Sequence, residues 1–169
     1  MHILSLPRAC SCPSLTSAAS LALRARTLGT PLTLSLEQVA LLQAVLNEAS
    51  LPANARLAVP AVLACLPIGS VESSIARAVV GALAQTAQHA PVQVAVASMD
   101  GLVDLFSDDA SDATWTSLEC SELFKQLHGH LKAKVKANKR TMDMEERLHA
   151  SEVLVNVQGL RQHKAARLQ

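Results

Sequence analysis

The residues whose type and spacing are best suited to chemistry are acids in the second half of the chain. Asp100, Asp104 and Asp108 recur every four residues and are followed by Asp109 and Asp112. Four-residue spacing places carboxylates on one side of a helix, and carboxylate oxygens are ligands for hard cations. However, the stretch lacks the twelve-residue loop with a central glycine and a final glutamate that binds calcium. We therefore interpret it as a solvated acidic corner.

The histidines and cysteines form no pattern that predicts catalysis or metal binding. His128 and His130 are two residues apart, which points them about 200° away from each other on a helix. Cys10 and Cys12 lack two further ligands at zinc spacing. The sequence contains neither a glycine-rich phosphate loop nor a recognisable pair of nucleophile and base. The sequence therefore predicts a non-enzymatic protein with no catalytic residue, no metal site and no cofactor.

A basic segment is the one local electrostatic feature. It contains Lys132, Lys134, Lys136, Lys139 and Arg140, whereas the net charge of the 169-residue chain is only +1. Such a segment can contact phosphate or an acidic protein surface. It contains no aromatic side chain on which a single-stranded nucleic acid would stack, so we expect no direct nucleic acid binding. These five residues are the candidate partner-binding site. A structural or solvated role is the alternative, because cations near the end of a helix complement its macrodipole.

Amphipathic helices must position all of these residues. Apolar side chains recur every three or four residues along the chain, as in Val71, Ile75, Val79 and Leu83. The patterns group into three successive pairs, at residues 36–66, 71–106 and 116–164. The pair onsets lie 35 and 45 residues apart, near the period of about 40–47 residues in HEAT or armadillo units. The predicted fold is all-α, a HEAT/armadillo-like α-solenoid segment of about three helical pairs. An irregular helical bundle is the alternative.

The composition predicts an aliphatic core. Half of the residues are hydrophobic but only 2% are aromatic. Phe106 and Phe124 each end an apolar stripe, so we expect both in the core between the second and third pairs. Residues 78–99 carry no formal charge, but polar residues and Pro91 interrupt them, which argues against a membrane span.

The N-terminal segment differs in composition from the rest. Arg8, Arg24 and Arg26 occur with many serines and alanines, and the first acid is Glu37. This composition is typical of a mitochondrial or plastid transit segment. The alternatives are a poorly ordered leader or the product of an incorrect gene start. We therefore predict that residues 1–34 are a leader or transit segment and that residues 35–169 form an α-helical repeat domain.

The C-terminal part of the chain resembles a known family in the order of its elements. Residues 98–109 read SMDGLVDLFSDD, residues 123–136 form a helical pattern ending in lysines, and residues 153–157 read VLVNV after a basic linker. These elements resemble the C-terminal end of the symportin family, which are HEAT/armadillo-type adaptors for the import of ribosomal proteins. The resemblance covers about residues 92–164. Gly159 and Leu160 stand where the family has Arg-Phe, and His163 replaces an aromatic residue.

The resemblance implies a carrier for the two large-subunit ribosomal proteins that accompany 5S RNA. Such a carrier couples nuclear import to ribosome assembly, acts in the cytoplasm and nucleus, and works with an import receptor. The acidic loop and N-terminal import signal of the family have no counterpart here, so the chain looks like a C-terminal fragment or a shortened member. The alternatives are an organellar helical protein of the mitochondrion or plastid, with a cleaved transit peptide, and a generic HEAT-type scaffold subunit.

Overall fold

The computed structural model describes residues 33–51 and 53–168. These residues contain seven α-helices and one 3₁₀ turn, Asp109–Ser111. The helices are α1 (Leu36–Asn47), α2 (Ala53–Leu63), α3 (Ser73–His89), α4 (Val92–Phe106), α5 (Asp112–Ser117), α6 (Cys120–Asn138) and α7 (Met144–Arg167). No helix among the described residues is long and apolar enough to cross a membrane.

Six of the helices form three stacked pairs. The pairs are α1 with α2, α3 with α4, and α6 with α7, and the two helices of each pair contact each other. Each helix also contacts its counterpart in the next pair: α1 packs on α3, α2 on α4, α3 on α6, and α4 on α7. One layer is therefore α1, α3 and α6, and the other is α2, α4 and α7. This arrangement confirms the predicted all-α solenoid of three helical pairs.

Capping boxes begin the first and the last helix. The Ser35 hydroxyl accepts a hydrogen bond from the Gln38 backbone N–H at 3.3 Å, and the Gln38 side chain accepts one from the Ser35 N–H at 2.9 Å. Asp143 and Glu146 make the same reciprocal pair at 2.8 and 2.9 Å. These bonds satisfy backbone donors that the first turn of a helix otherwise leaves without a partner. Leu34, two residues before the start of α1, is buried in the core.

The core is aliphatic except for one aromatic cluster. Leu46, Leu83 and Met99 are fully buried within the pairs. Phe106 and Phe124 are both 0% exposed, which confirms the prediction that they lie in the core. The Phe106 ring packs edge-on against Trp115, at a centroid distance of 5.3 Å, and against Phe124, at 5.8 Å. The cluster therefore joins the end of α4 to α5 and α6.

Candidate functional site

The basic segment divides into one internal cation and four exposed ones. Lys134 is half-buried in the last turns of α6, and its ammonium group donates to the carbonyl oxygens of Gln88, at 2.8 Å, and Ala90, at 2.6 Å. These carbonyls lie at the C-terminal end of α3, where a cation complements the helix dipole. Burial lowers the pKa of Lys134. Lys134 therefore joins α6 to α3, whereas Lys132, Lys136, Lys139 and Arg140 are exposed.

The exposed lysines of α6 face away from the second pair. Lys132 and Lys136 each lie two residues from Lys134, hence about 200° around the helix from it. Since Lys134 points at α3, Lys132 and Lys136 point to the open side of the third pair. Lys125 lies seven residues before Lys132, on the same line of the helix. It is exposed and pairs with Glu122 at 3.4 Å. We call Lys125, Lys132 and Lys136 the basic ridge.

An apolar ridge on α7 faces the same open side. Met144, Leu148 and Val155 are 86%, 63% and 69% exposed, and their spacing places them on one line of the helix. On the other face of α7, Glu146 binds the Gln93 side chain of α4. Met144 and Leu148 each lie two residues from Glu146, so they point away from α4. We call Met144, Leu148 and Val155 the apolar ridge.

The seam between α6 and α7 carries further positive charge. His128 of α6 is half-buried there, and its pKa is lowered by burial and by the charges of Arg161 of α7 and Lys132. The Nε atom of Arg161 is buried and has no hydrogen-bond partner among the described residues. The two ridges therefore border a seam with a positive potential.

The acidic corner differs from the solvated cluster that the sequence predicts. Lys164 of α7 is 1% exposed, and its ammonium group donates to the Asp108 carbonyl and the Ser111 hydroxyl, both at 3.0 Å, and to the Asp112 carboxylate. Arg167 pairs with Asp109 and Asp112. The interpretation of a solvated corner is wrong for Asp112, because these cations of α7 bind it. The corner anchors the end of the last helix.

Few side chains in the described part of the chain are candidates for metal binding or catalysis. No group of three or more histidine, cysteine, aspartate or glutamate side chains there is arranged to bind a metal ion. Cys120 is buried, and burial raises the pKa of its thiol to about 12, which keeps the unreactive protonated form at neutral pH. Cys65 is half-buried and donates to the Ala61 carbonyl at 3.3 Å. Cys10 and Cys12 lie outside the described residues.

Only part of this surface lies in the basic segment that the sequence singles out. The candidate site predicted from the sequence includes Lys132 and Lys136, but it does not distinguish Lys134 from its neighbours and does not include Lys125. The seven-residue interval from Lys125 to Lys132 is a helical spacing that indicates a common face. Met144, Leu148 and Val155 are four and seven residues apart, and this spacing also indicates a common face of a helix. The role of these residues in partner binding stays a prediction.

Stacked helical pairs define a helical-repeat scaffold, a class whose surfaces bind other proteins. The model of the family described as SYO1-like, TPR repeats matches residues 14–160, and the chain belongs to this family. SYO1 is the symportin, so the predicted family is confirmed. No curated protein and no solved structure gives a significant match.

The family match is wider than the resemblance found in the sequence. The resemblance covered about residues 92–164, whereas the match begins at residue 14 and includes the first two pairs. It also includes part of the segment predicted as a leader or transit segment, of which residues 1–32 lie outside the described part of the chain. In the structure the three pairs begin at Leu36, Ser73 and Cys120. The unequal spacing arises because the 3₁₀ turn and α5 are inserted before the third pair.

Proposed function

We propose that the chain is a non-enzymatic adaptor that binds the ribosomal proteins of the 5S particle for nuclear import and large-subunit assembly. The family match over residues 14–160 carries this proposal, because symportins are carriers for these proteins. The repeat architecture supports it, since a solenoid offers extended surfaces rather than an enclosed catalytic cavity. The adaptor acts in the cytoplasm and the nucleus and works with an import receptor.

The polar groups of the described residues support binding rather than catalysis. Two cationic contacts, that of Lys134 with the end of α3 and that of Lys164 with the acidic corner, hold helices together. The exposed cations Lys132, Lys136, Lys139 and Arg140 remain accessible to a partner. They supply an auxiliary contact to the cargo or to an associated acidic protein, because exposed ion pairs add modest, salt-dependent affinity.

Recovery of purified ribosomal proteins on the immobilised chain tests the proposal. We expect the two 5S-associated proteins to be retained and an unrelated ribosomal protein of similar charge to be lost on washing. The variant with Lys132, Lys136 and Lys139 replaced by Gln should retain less cargo at low salt and equal cargo at high salt. Failure to recover either protein at both salt concentrations would refute the cargo assignment.

A second candidate function is that of an organellar helical protein with a cleaved transit peptide. The composition of the first 36 residues favours it, since arginines occur there without any acid. N-terminal sequencing of the protein from cells separates the two functions. A mature N-terminus near Gly29 would support the organellar function, and an intact N-terminus would support the adaptor function. A generic scaffold role remains if neither cargo nor cleavage is found.

A further inference from the structure

We propose that the open side of the third helical pair is a docking surface for an acidic amphipathic helix of a partner protein. The surface consists of the basic ridge on α6, the apolar ridge on α7 and the seam between them. This inference deepens the proposed function and rests on its claim that the chain binds proteins. It assigns a chemistry to the partner and a place to the contact.

The apolar ridge is exposed to solvent. Met144, Leu148 and Val155 are more than half exposed, whereas the opposite face of the same helix buries Val153 and Val157 completely or almost so. A helix that is apolar on two opposite faces has more hydrophobic surface than its own packing uses. Covering that second face removes apolar surface from water, which favours association.

Positive charge lies beside the apolar ridge. Among the described residues Lys132 and Lys136 form no ion pair and face the open side, and Lys125 pairs with the exposed Glu122. Arg161 adds positive charge in the seam, where burial and the charges of Arg161 and Lys132 lower the pKa of His128. The exposed acids Glu145 and Glu152 lie on the far side of the apolar ridge from α6. A helix seated along the seam therefore places its acids over α6 and its apolar stripe over α7.

The two ridges have the same length. Lys125 and Lys136 lie eleven residues apart, as do Met144 and Val155, and this separation is about 16.5 Å along a helix. A partner helix of three turns therefore contacts both ridges along its whole length. Helix-in-groove recognition uses this arrangement, with anchors at three- and four-residue intervals.

Other occupants fit the surface less well. Nucleic acid would use the lysines but gain nothing from the apolar ridge, and Phe106, Trp115 and Phe124 are buried, so no aromatic ring of the chain is available for stacking. Residues 1–32 contain Arg8, Arg24 and Arg26 and no acid, so the basic ridge would repel them. Stacking the first pair of a second copy on this surface would bring few acids to the ridge, since Glu37 and Glu48 are the acids of that pair.

The test uses the full chain and a labelled synthetic peptide of about 18 residues, long enough to cover both ridges. The peptide has a leucine stripe at helical spacing and a flank of glutamates, and its control has glutamines instead of glutamates. Binding is measured by fluorescence anisotropy at low and high salt. We expect the glutamate peptide to bind more tightly than the glutamine peptide, and the difference to shrink at high salt.

Two variants assign the binding to the two ridges. Leu148→Ser should weaken peptide binding about tenfold at both salts, since it removes apolar burial. Lys132→Gln with Lys136→Gln should weaken it about three- to tenfold at low salt only. The control is Lys139→Gln with Arg140→Gln, which removes the same charge from the turn beyond α6 and should have a smaller effect. Circular dichroism checks that every variant keeps its helicity.

Several results would overturn the proposal. One is the absence of peptide binding, and another is equal binding by the wild type and Leu148→Ser. A third is a single-stranded oligonucleotide that binds more tightly than the glutamate peptide and whose binding depends on Lys132 and Lys136 but not on Leu148. That result would assign the surface to nucleic acid. A fourth is self-association in sedimentation that Leu148→Ser abolishes, which would assign it to a second copy. Peptide binding without recovery of ribosomal proteins refutes the proposed cargo and leaves the docking surface standing.

Discussion

At the scale of single residues, the aromatic cluster is the most concentrated part of the core. Phe106 contacts both Trp115 and Phe124 in edge-on geometry and is fully buried. We expect Phe106→Ala to lower the free energy of unfolding by about 3–5 kcal/mol, because it leaves a cavity and removes two ring contacts. Urea denaturation measures the change.

The exposed Leu148 is the control for this substitution. Leu148→Ala should change the free energy of unfolding by less than about 0.5 kcal/mol, as surface substitutions usually do. If Phe106→Ala has the same free energy of unfolding in urea as the wild type, the end of α4 does not pack on α5 and α6 in solution.

In the acidic corner, we expect the pKa of the Asp109 carboxyl to depend on Arg167. A hydrogen bond from Arg167 holds the pKa of Asp109 below its ordinary value. A carboxyl with a depressed pKa stabilises the fold above its unfolded pKa, and that contribution is lost as the pH falls through the folded pKa. Arg167→Gln should therefore raise the pKa of Asp109 towards its ordinary value, as NMR titration of the carboxyl measures.

A distant cation provides the comparison for this titration. Arg77 is exposed on α3, and Arg77→Gln removes the same charge without touching the corner. It should leave the pKa of Asp109 unchanged. Equal titration of Asp109 in the wild type and the Arg167 variant would show that the ion pair does not form in solution.

At the scale of elements, one glycine sets how closely α2 and α4 approach. A Cβ atom at Gly101 of α4 would lie 3.0 Å from the carbonyl oxygen of Pro60 in α2. Gly101→Ala should lower the free energy of unfolding, because overpacking costs about 1–3 kcal/mol and exceeds the helix-propensity gain of about 1 kcal/mol. Thermal denaturation measures the change.

Gly81 in α3 is the matched control. A Cβ atom there meets nothing within 4 Å, so Gly81→Ala should raise the free energy of unfolding by about 0.5–1 kcal/mol. Opposite signs for the two substitutions are the expected outcome. A stabilising Gly101→Ala would mean that α2 and α4 lie further apart in solution than in the structure.

At the scale of the whole molecule, the stacking order predicts a gradient of stability. The second pair, α3 with α4, contacts helices of both other pairs. In a stack the stability of each pair depends on its neighbours, so amides of α3 and α4 should exchange most slowly with solvent. Hydrogen exchange with mass spectrometry measures this along the chain. Uniform protection of all three pairs would instead indicate a single cooperative bundle.

The sequence by itself determined the helices and their pairing. The three- and four-residue apolar spacing is a local property of each segment, and it predicted three helical pairs that the structure contains. It also predicted the burial of Phe106 and Phe124, because each ends an apolar stripe. The family could be predicted as well, from the order of elements between residues 92 and 164. The predictions of helices and of buried side chains use neighbours a few residues apart.

Only the tertiary structure decided what the charged residues do. Lys134 and Lys136 look alike in sequence, but packing brings the first to the carbonyls at the end of α3 and leaves the second exposed. Lys164 finds Asp112 across 52 residues of sequence. The physical reason is that an ion pair or a capping contact depends on which helix lies opposite a given face. The apolar period of a single helix identifies its buried face, but it does not identify the neighbour that this face meets.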